Sequence, residues 1–472
     1  MEFFDTITAY LWNYILLFAL MGVGIYMTIL LKFPQFTRVL PAVVKLIADI
    51  KTGKKVEDGR MTPFQSLATA VAAQVGTGNI VGVATALASG GPGAAFWMIL
   101  SAFFGMSTIF AEAVLAQVYR HETETGELVG GPAYYIREGL NSKVLSIIFA
   151  IFAVLAMGIA GMMIQSNAVV VSLNQSFGIP SAWATAGLLA IVGIILTGGM
   201  ERIAGFSEKV VPVMATAYVI GSLLILVINI GNFLPALQLI MVSAFSPQAI
   251  SGGVLGITIQ ETIRYGIARG LFSNEAGLGS TPHSHAVAQT DHPAEQGFIA
   301  MIGVFISTFM ICTSTVMVNL LTGSYNSMLP ASEMAKTATI MTQNGFVNGF
   351  GNFGGAFLSI SLSSFALTTI VGWYFFAESN VKLLFNDKKI FVVGFKIIAL
   401  GFLVVGPLIE PEYLWKISDL FTGLMALPNI VALIFLSKQV SWILKDYDLK
   451  LKTGNLVWPD RKDLPGNKSK KA

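Results

Sequence analysis

Three stretches of this chain, residues 144–200, 210–260 and 296–332, contain no Asp, Glu, Lys or Arg. Each is longer than the roughly 20 apolar residues that a bilayer-crossing helix needs. Within them the apolar residues run on continuously, which excludes the alternating pattern of a membrane β-barrel. A water-soluble core does not tolerate that length of uncharged helix, and so apolar a surface would aggregate in water. The composition agrees. Charged residues make up 12% of the chain, against about 25% in an ordinary soluble domain. A disordered chain, a coiled coil and a collagen are excluded with the soluble domain. Gly is high at 47 of 472 residues, as membrane helices allow. A single cysteine, Cys312, rules out an internal disulfide and any multi-cysteine metal site.

The expected class is an all-α polytopic membrane protein. Eleven spans are expected: 10–31, 62–88, 95–119, 145–174, 182–200, 210–230, 250–285, 297–322, 354–377, 391–408 and 414–437. The first is not read as a cleaved signal, because Glu2 and Asp5 precede it in place of a basic leader. The basic residues set the orientation. Segments 32–61, 120–144, 201–209, 378–390 and 438–472 hold 24 of the 29 Lys and Arg, whereas the opposite connections hold only Lys336. These are alternate connections, so the N-terminus is expected outside and the C-terminus in the cytoplasm.

Chemistry is expected where apolar helices are interrupted. In Gln74-Val75-Gly76-Thr77-Gly78-Asn79, two glycines weaken the helix in mid-span. Backbone released there must be buried in protein or line a wet cavity. A half-helix N-terminus at this point suits a carboxylate. The preceding carbonyls, with Gln74 and Asn79, suit a small hard cation. The alternative is a small-residue packing face. A second interruption runs Gly270-Leu271-Phe272-Ser273-Asn274-Glu275-Ala276-Gly277-Leu278-Gly279-Ser280. Its Glu275 is an ionisable residue at membrane depth, which marks a functional candidate. Arg264 and Arg269 are candidate partners for Glu275 or Glu261. His283 and His285 read as polar loop residues near the cytoplasmic mouth, and Glu112 and Glu378 read as structural. Thr368 and Thr369 lie one turn before Trp373, a face that offers hydroxyls to an ion and a bulky wall to a substrate. Gln165 and Asn167 are further mid-span pocket candidates.

Paired Gly-interrupted segments at corresponding places in two halves point to a transporter site. Residues 62–230 and 250–437 each hold five spans and each begin with the broken one. An odd number of spans per half gives the halves opposite topology. On this division 1–31 is an added helix, 32–61 a basic cytoplasmic segment, 231–249 an extracellular connection and 438–472 a basic cytoplasmic tail.

At these residues the chain resembles the alanine or glycine:cation symporter family, also called sodium:alanine symporters. The resemblance rests on Gly76-Thr77-Gly78-Asn79-Ile80, Gly90-Gly91-Pro92-Gly93, Phe96-Trp97-Met98 and Gly130-Gly131-Pro132. Its strongest part is Arg269 through Ser280. The family is similar to the LeuT-type transporters, which implies an inverted five-plus-five helix repeat. The resemblance implies that Gly76, Thr77 and Gly78 offer N–H groups to a substrate carboxylate. It implies that Phe272, Ser273 and Glu275 face the substrate and that Thr369 and Trp373 line the pocket; Asn79 and Gly277 fall within the same motifs. One sodium site is implied at the Ala72 and Val75 carbonyls with Thr368 and Thr369, and a second at Gln74, Asn79 and Ser273.

The expected function is import of a small neutral amino acid, alanine or glycine, with sodium as the co-transported ion, across the plasma membrane. The wall provided by Trp373 argues for a small side chain. A proton-coupled carrier using Glu275 is the runner-up. A channel is less favoured because no filter motif or ring of pore residues is present. No catalytic residue, nucleic acid or obligate protein partner is implied.

Overall fold

The computed structural model describes residues 2–53, 56–57, 59–123, 126–246, 257–326, 331–459 and 461–466. Helices occupy all eleven regions expected to span. Eight are long and apolar enough to cross a membrane, and one bent pair adds a ninth among the described residues. The eight are α1 (Thr6–Leu30), α5 (Ala94–Val118), α7 (Lys143–Phe177), α9 (Gly199–Ile228), α13 (Pro293–Leu321), α15 (Asn352–Leu384), α16 (Lys389–Leu408) and α17 (Pro411–Thr453). The bent pair is α3 (Pro63–Gln74) with the stretch that ends in α4 (Val81–Gly90). The fifth expected span is the shorter α8 (Ser181–Thr197). The seventh is α11 (Ile259–Asn274), followed by an irregular turn and α12 (Pro282–Ala286). Its expected start, 250–256, lies outside the described residues, as do Lys54 and Lys55 of the basic segment and 467–472 of the tail.

The connections are more ordered than their composition suggests. The basic segment 32–61 contains α2 (Val39–Thr52). The 231–249 connection contains most of α10 (Ile230–Phe245). The loop after α5 forms a small hairpin of β1 (His121–Glu122) on β2 (Leu128–Val129), then α6 (Pro132–Gly139). A further helix, α14 (Ala331–Phe350), precedes α15. The last helix runs on past its expected end at 437 into the tail.

The burial pattern explains the layering. Residues from Leu67 through Ala95 are almost all buried, so the α3–α4 pair lies at the centre. By contrast α8, α9 and α16 expose Ile194, Val213, Val227, Ile390 and Ile397. Exposed apolar residues in that number need a lipid surround. Hydroxyls and amides inside the bundle tie helices together, as in Ser172 to Ser359 at 2.9 Å and Tyr218 to Thr315 at 2.8 Å. Three long helices contain a π-helical stretch, Leu11–Leu16 in α1, Val154–Ala160 in α7 and Phe305–Cys312 in α13. Such stretches widen the helix and often sit beside functional sites.

Candidate functional site

The site is built on the two interruptions. Thr62 caps α3, accepting from the Gln65 amide at 3.1 Å, while Gln65 Oε1 accepts from Thr62 N at 3.0 Å. The helix then runs to Gln74 and stops, and the chain re-enters a single 3-10 turn at Thr77–Asn79 before α4, bent by 62° overall. The glycines here provide closeness. A Cβ on Gly76 would lie 2.6 Å from Thr369 Oγ1, and one on Gly78 would lie 3.1 Å from the Phe272 ring. Any larger residue would push α15 or α11 away.

The carbonyls freed by the break meet α15 at Thr369. Its hydroxyl lies 2.9 Å from Ala72 O, 3.3 Å from Val75 O, 3.5 Å from Ala73 O and 3.0 Å from Phe365 O. A hydroxyl carries one proton, so it cannot satisfy all four. The result is a buried knot of oxygens with surplus lone pairs, the donor set that a hard cation prefers. Ala72, Val75 and Thr369 are therefore brought together. Thr368 is not: its hydroxyl donates to Phe365 O at 2.9 Å and faces Met214 Sδ at 3.6 Å.

A second polar cluster lies on the other side of the break. Asn79 Nδ2 donates to Ser273 Oγ at 2.7 Å and to Ser307 O at 3.2 Å, and Ser273 Oγ lies 2.9 Å from Cys312 Sγ. Gln74 Nε2 donates to Asn274 O at 2.8 Å, while its Oε1 is buried without a hydrogen bond. Sequence reasoning missed Ser307 and Cys312. Both come from the π-helical stretch of α13, which has no Gly or Pro signature to announce it.

Two of the three N–H groups expected to meet a carboxylate already face side-chain oxygens. Gly76 N donates to Asn79 Oδ1 at 3.0 Å, and Thr77 N reaches Gln165 Oε1 at the long distance of 3.4 Å. Thr77 Oγ1 is buried with no partner. A weak amide bond beside an orphaned hydroxyl is where a ligand oxygen fits best. Thr77 also lines a cavity of about 240 Å³ with Ile80, Ile164, Asn167, Gln343 and Trp415. The cavity runs toward the ends of α7 and α17 that lie opposite the basic segments, where Gln175 and Pro411 border it. Asn167 has a structural task as well, donating to Gly406 O at 3.1 Å and Ile409 O at 2.9 Å.

The remaining candidates fall into a layer behind the cavity. Glu275 caps α11 in the left-handed region at φ 59°. Its carboxylate accepts from Trp373 Nε1 at 2.8 Å and from Ser280 Oγ. Trp373 packs on Gly161 and is not among the cavity's lining residues; the tryptophan there is Trp415. Phe272 stacks obliquely on Trp415 with ring centroids 5.6 Å apart. Gly277 turns away from the first break, toward Leu20 and Thr108. Its N–H donates to Glu112 Oε2 at 3.0 Å, and its carbonyl accepts from Asn429 at 2.9 Å. Glu112 thus holds the second break in place, a structural role.

Two further expectations change. Arg269 pairs with Asp419 at 3.5 Å and lies over the Trp415 ring, and Arg264 lies over Tyr265; neither reaches Glu275. His283 and His285 are buried core residues instead of loop residues. His283 is stacked between Phe149 and Phe376 and accepts from Asn380 Nδ2 at 2.8 Å, while His285 accepts from Gln296 Nε2 at 2.7 Å. The irregular turn before α12 folds that segment into the bundle, which sequence spacing does not report.

A bundle of long apolar helices with two broken helices meeting at a polar, buried centre has the architecture of an integral membrane protein. Comparison with known proteins gives the family. The sequence model of the sodium:alanine symporter family matches residues 1–460, and the chain belongs to that family of symporters. It is 41% identical to an uncharacterized transporter of Haemophilus influenzae, covering 95% of this chain and 96% of that one. It is 37% identical to the sodium/alanine symporter AgcS of Methanococcus maripaludis, covering 92% and 94%. It is 36% identical to the probable sodium/glutamine symporter GlnT of Bacillus subtilis, covering 94% and 90%. Among solved structures, a manganese transporter of Eremococcus coleocola (mutant H236A) matches with a TM-score of 0.51 at 14% identity, covering 86% of this chain and 84% of that one. That likeness concerns the fold alone. Among the described residues no group of His, Cys, Asp and Glu is arranged to hold a metal ion.

Proposed function

We propose that this cation-coupled amino-acid symporter imports a small neutral amino acid, alanine or glycine, together with sodium. The observation that carries the proposal is the knot of Thr369 with the Ala72, Ala73 and Val75 carbonyls, one turn from the unpartnered Thr77 hydroxyl. Sodium is bound at the knot, at Ala72, Val75 and Thr369. The substrate carboxylate takes the N–H groups of Gly76, Thr77 and Gly78 with the Thr77 hydroxyl, displacing Gln165. Ion and carboxylate then order the same broken backbone, so each raises the other's affinity. A second ion at Gln74, Asn79 and Ser273 is part of the proposal, with Cys312 beside it.

The two halves, 62–230 and 250–437, act as inverted repeats that rock about this centre. With the N-terminus outside, the cavity above Thr77 opens outward, and the membrane potential adds about 2.3 kcal/mol per charge per 100 mV to inward sodium movement. The test is uptake of labelled alanine into proteoliposomes. Uptake should depend on external sodium and be competed by glycine; uptake that persists unchanged without sodium sinks the proposal. Uptake that follows pH in sodium-free buffer supports the proton-coupled reading through Glu275. Stronger competition by glutamine than by glycine overturns the small-substrate assignment.

A further inference from the structure

The helix α2 is amphipathic in the opposite sense to a helix on a water-exposed surface. Its mid-helix charges, Lys45 and Asp49, lie toward the protein, and only Lys51 in the last turn is exposed. Lys45 pairs with Glu295 and lies 3.9 Å from Asp291, and Arg38, immediately before the helix, bonds Asp448 at 2.5 Å. Leu46 is buried, and Val39, Ala42 and Val43 pack against the core on the same side. The outward face carries Leu40, Val44 and Ile47, spaced to form one stripe. Leu40 is 72% exposed and Val44 62% exposed. A helix bathed in water would turn Leu40 and Val44 inward and Lys45 outward.

What covers the stripe follows from where the helix lies. The chain leaves the membrane span α1 at Leu30 and turns at Lys32 and Phe33, both at positive φ. So α2 begins where α1 meets the bilayer surface, on the face that carries the basic segments. Lys51 ends the helix, and Lys54 and Lys55 follow in sequence. An apolar stripe flanked by lysines matches an anionic leaflet surface.

We propose that α2 is an in-plane anchor. Its Leu40–Val44–Ile47 stripe rests among the acyl chains of the leaflet at the basic face, which the orientation above makes the cytoplasmic one. Its ion pairs to Glu295 on α13 and Asp448 on α17 make it a strap across the cytoplasmic ends of those two helices. A cavity of about 90 Å³, bordered by Lys45, Leu46, Thr290, Glu295, Phe298 and Tyr447, lies beneath the strap. Opening this end of the bundle requires the strap to lift, and the leaflet holds it down.

The test uses the full chain in vesicles of mixed zwitterionic and anionic phospholipid. Cys312 is buried, so an introduced cysteine is the reactive one. Spin labels on Val44→Cys and, independently, Leu40→Cys should collide with oxygen and be shielded from a water-soluble nickel chelate. A label on Glu122→Cys, in the exposed hairpin, should show the reverse. Nickel accessibility at both stripe positions equal to that at Glu122 overturns the anchor. Shielding from both reagents overturns it too, because protein then covers the stripe. For the strap, maleimide labelling of Thr290→Cys should rise severalfold when Leu40 and Val44 are both changed to Ser, and an unchanged rate refutes it. Neither readout involves an amino acid or sodium, so failure here is separable from failure of the transport assignment.

Discussion

At the scale of single residues, Thr369 carries the most weight. Thr369→Val keeps the volume and removes the hydroxyl from four carbonyls. A polar contact to a charged partner is worth about 1.5–3 kcal/mol, so half-saturating sodium for uptake should rise roughly ten- to hundredfold. Thr369→Ser should restore it, and sodium titration of uptake checks both. Gly76→Ala should abolish uptake, because its Cβ would stand 2.6 Å from the same hydroxyl. His292 gives a pH prediction. Burial pushes its imidazole below the ordinary value, against the pull of Asp446. The neutral ring donates from Nε2 to Asp446 at 3.1 Å and accepts at Nδ1 from Ala294 N at 3.2 Å, capping α13. With the folded pKa lowered, the unfolded chain binds the proton more readily, so this contribution to stability is lost as pH falls below the unfolded value of about 6.5. Thermal unfolding in detergent should show that loss, and His292→Asn should flatten it.

Elements set what those residues can do. The first break is defined by a capped helix that stops at Gln74, and the cap is separable from the site. Thr62→Ala should lower stability by about 1 kcal/mol while leaving sodium dependence unchanged. The second break is held from behind. Asn429 Nδ2 bridges Glu112 Oε1 at 2.6 Å and Gly277 O at 2.9 Å, and Tyr135 bonds Asn429 Oδ1. Asn429→Leu leaves a buried carboxylate with a lost partner and should destabilise the protein by about 3 kcal/mol or more, read as a fall in detergent melting temperature. The π-helical stretches act at this scale too. The one in α13 brings Ser307 and Cys312 to Asn79, and the one in α7 packs its Gly158 against Phe395 and Ala377, just before Gly161 meets Trp373.

For the molecule as a whole, the distribution of Lys and Arg predicts a cytoplasmic C-terminus. A C-terminal fluorescent-protein fusion should fold and fluoresce, whereas a C-terminal phosphatase that matures only outside should stay inactive. The opposite result would invert every inside and outside assignment, including the leaflet under α2. On the proposed orientation the cavity bordered by Thr77 and Trp415 lies on the outer side and α2 on the inner side, the two faces that the proposed rocking opens in turn.

The amino-acid sequence by itself determined that the chain is a bundle of membrane helices, which connections are basic and where two helices break. Those properties follow from local chemistry: uninterrupted apolar runs, lysine placement, and glycine with small polar residues at mid-span. It also brought out the residues that share the first break, because Ala72, Val75, Gly76 and Thr77 are neighbours in the chain. Only the tertiary structure decided which distant side chains meet them. It put Thr369 on the freed carbonyls and turned Thr368 aside, since adjacent helix positions point about 100° apart. It set Trp415 at the cavity and Trp373 behind it against Glu275, and it buried His283 and His285. It joined Arg269 to Asp419 across residues far apart in sequence. These outcomes depend on how helices rotate and cross against one another. That rotation is fixed by packing over the whole bundle, and no short stretch of sequence encodes it.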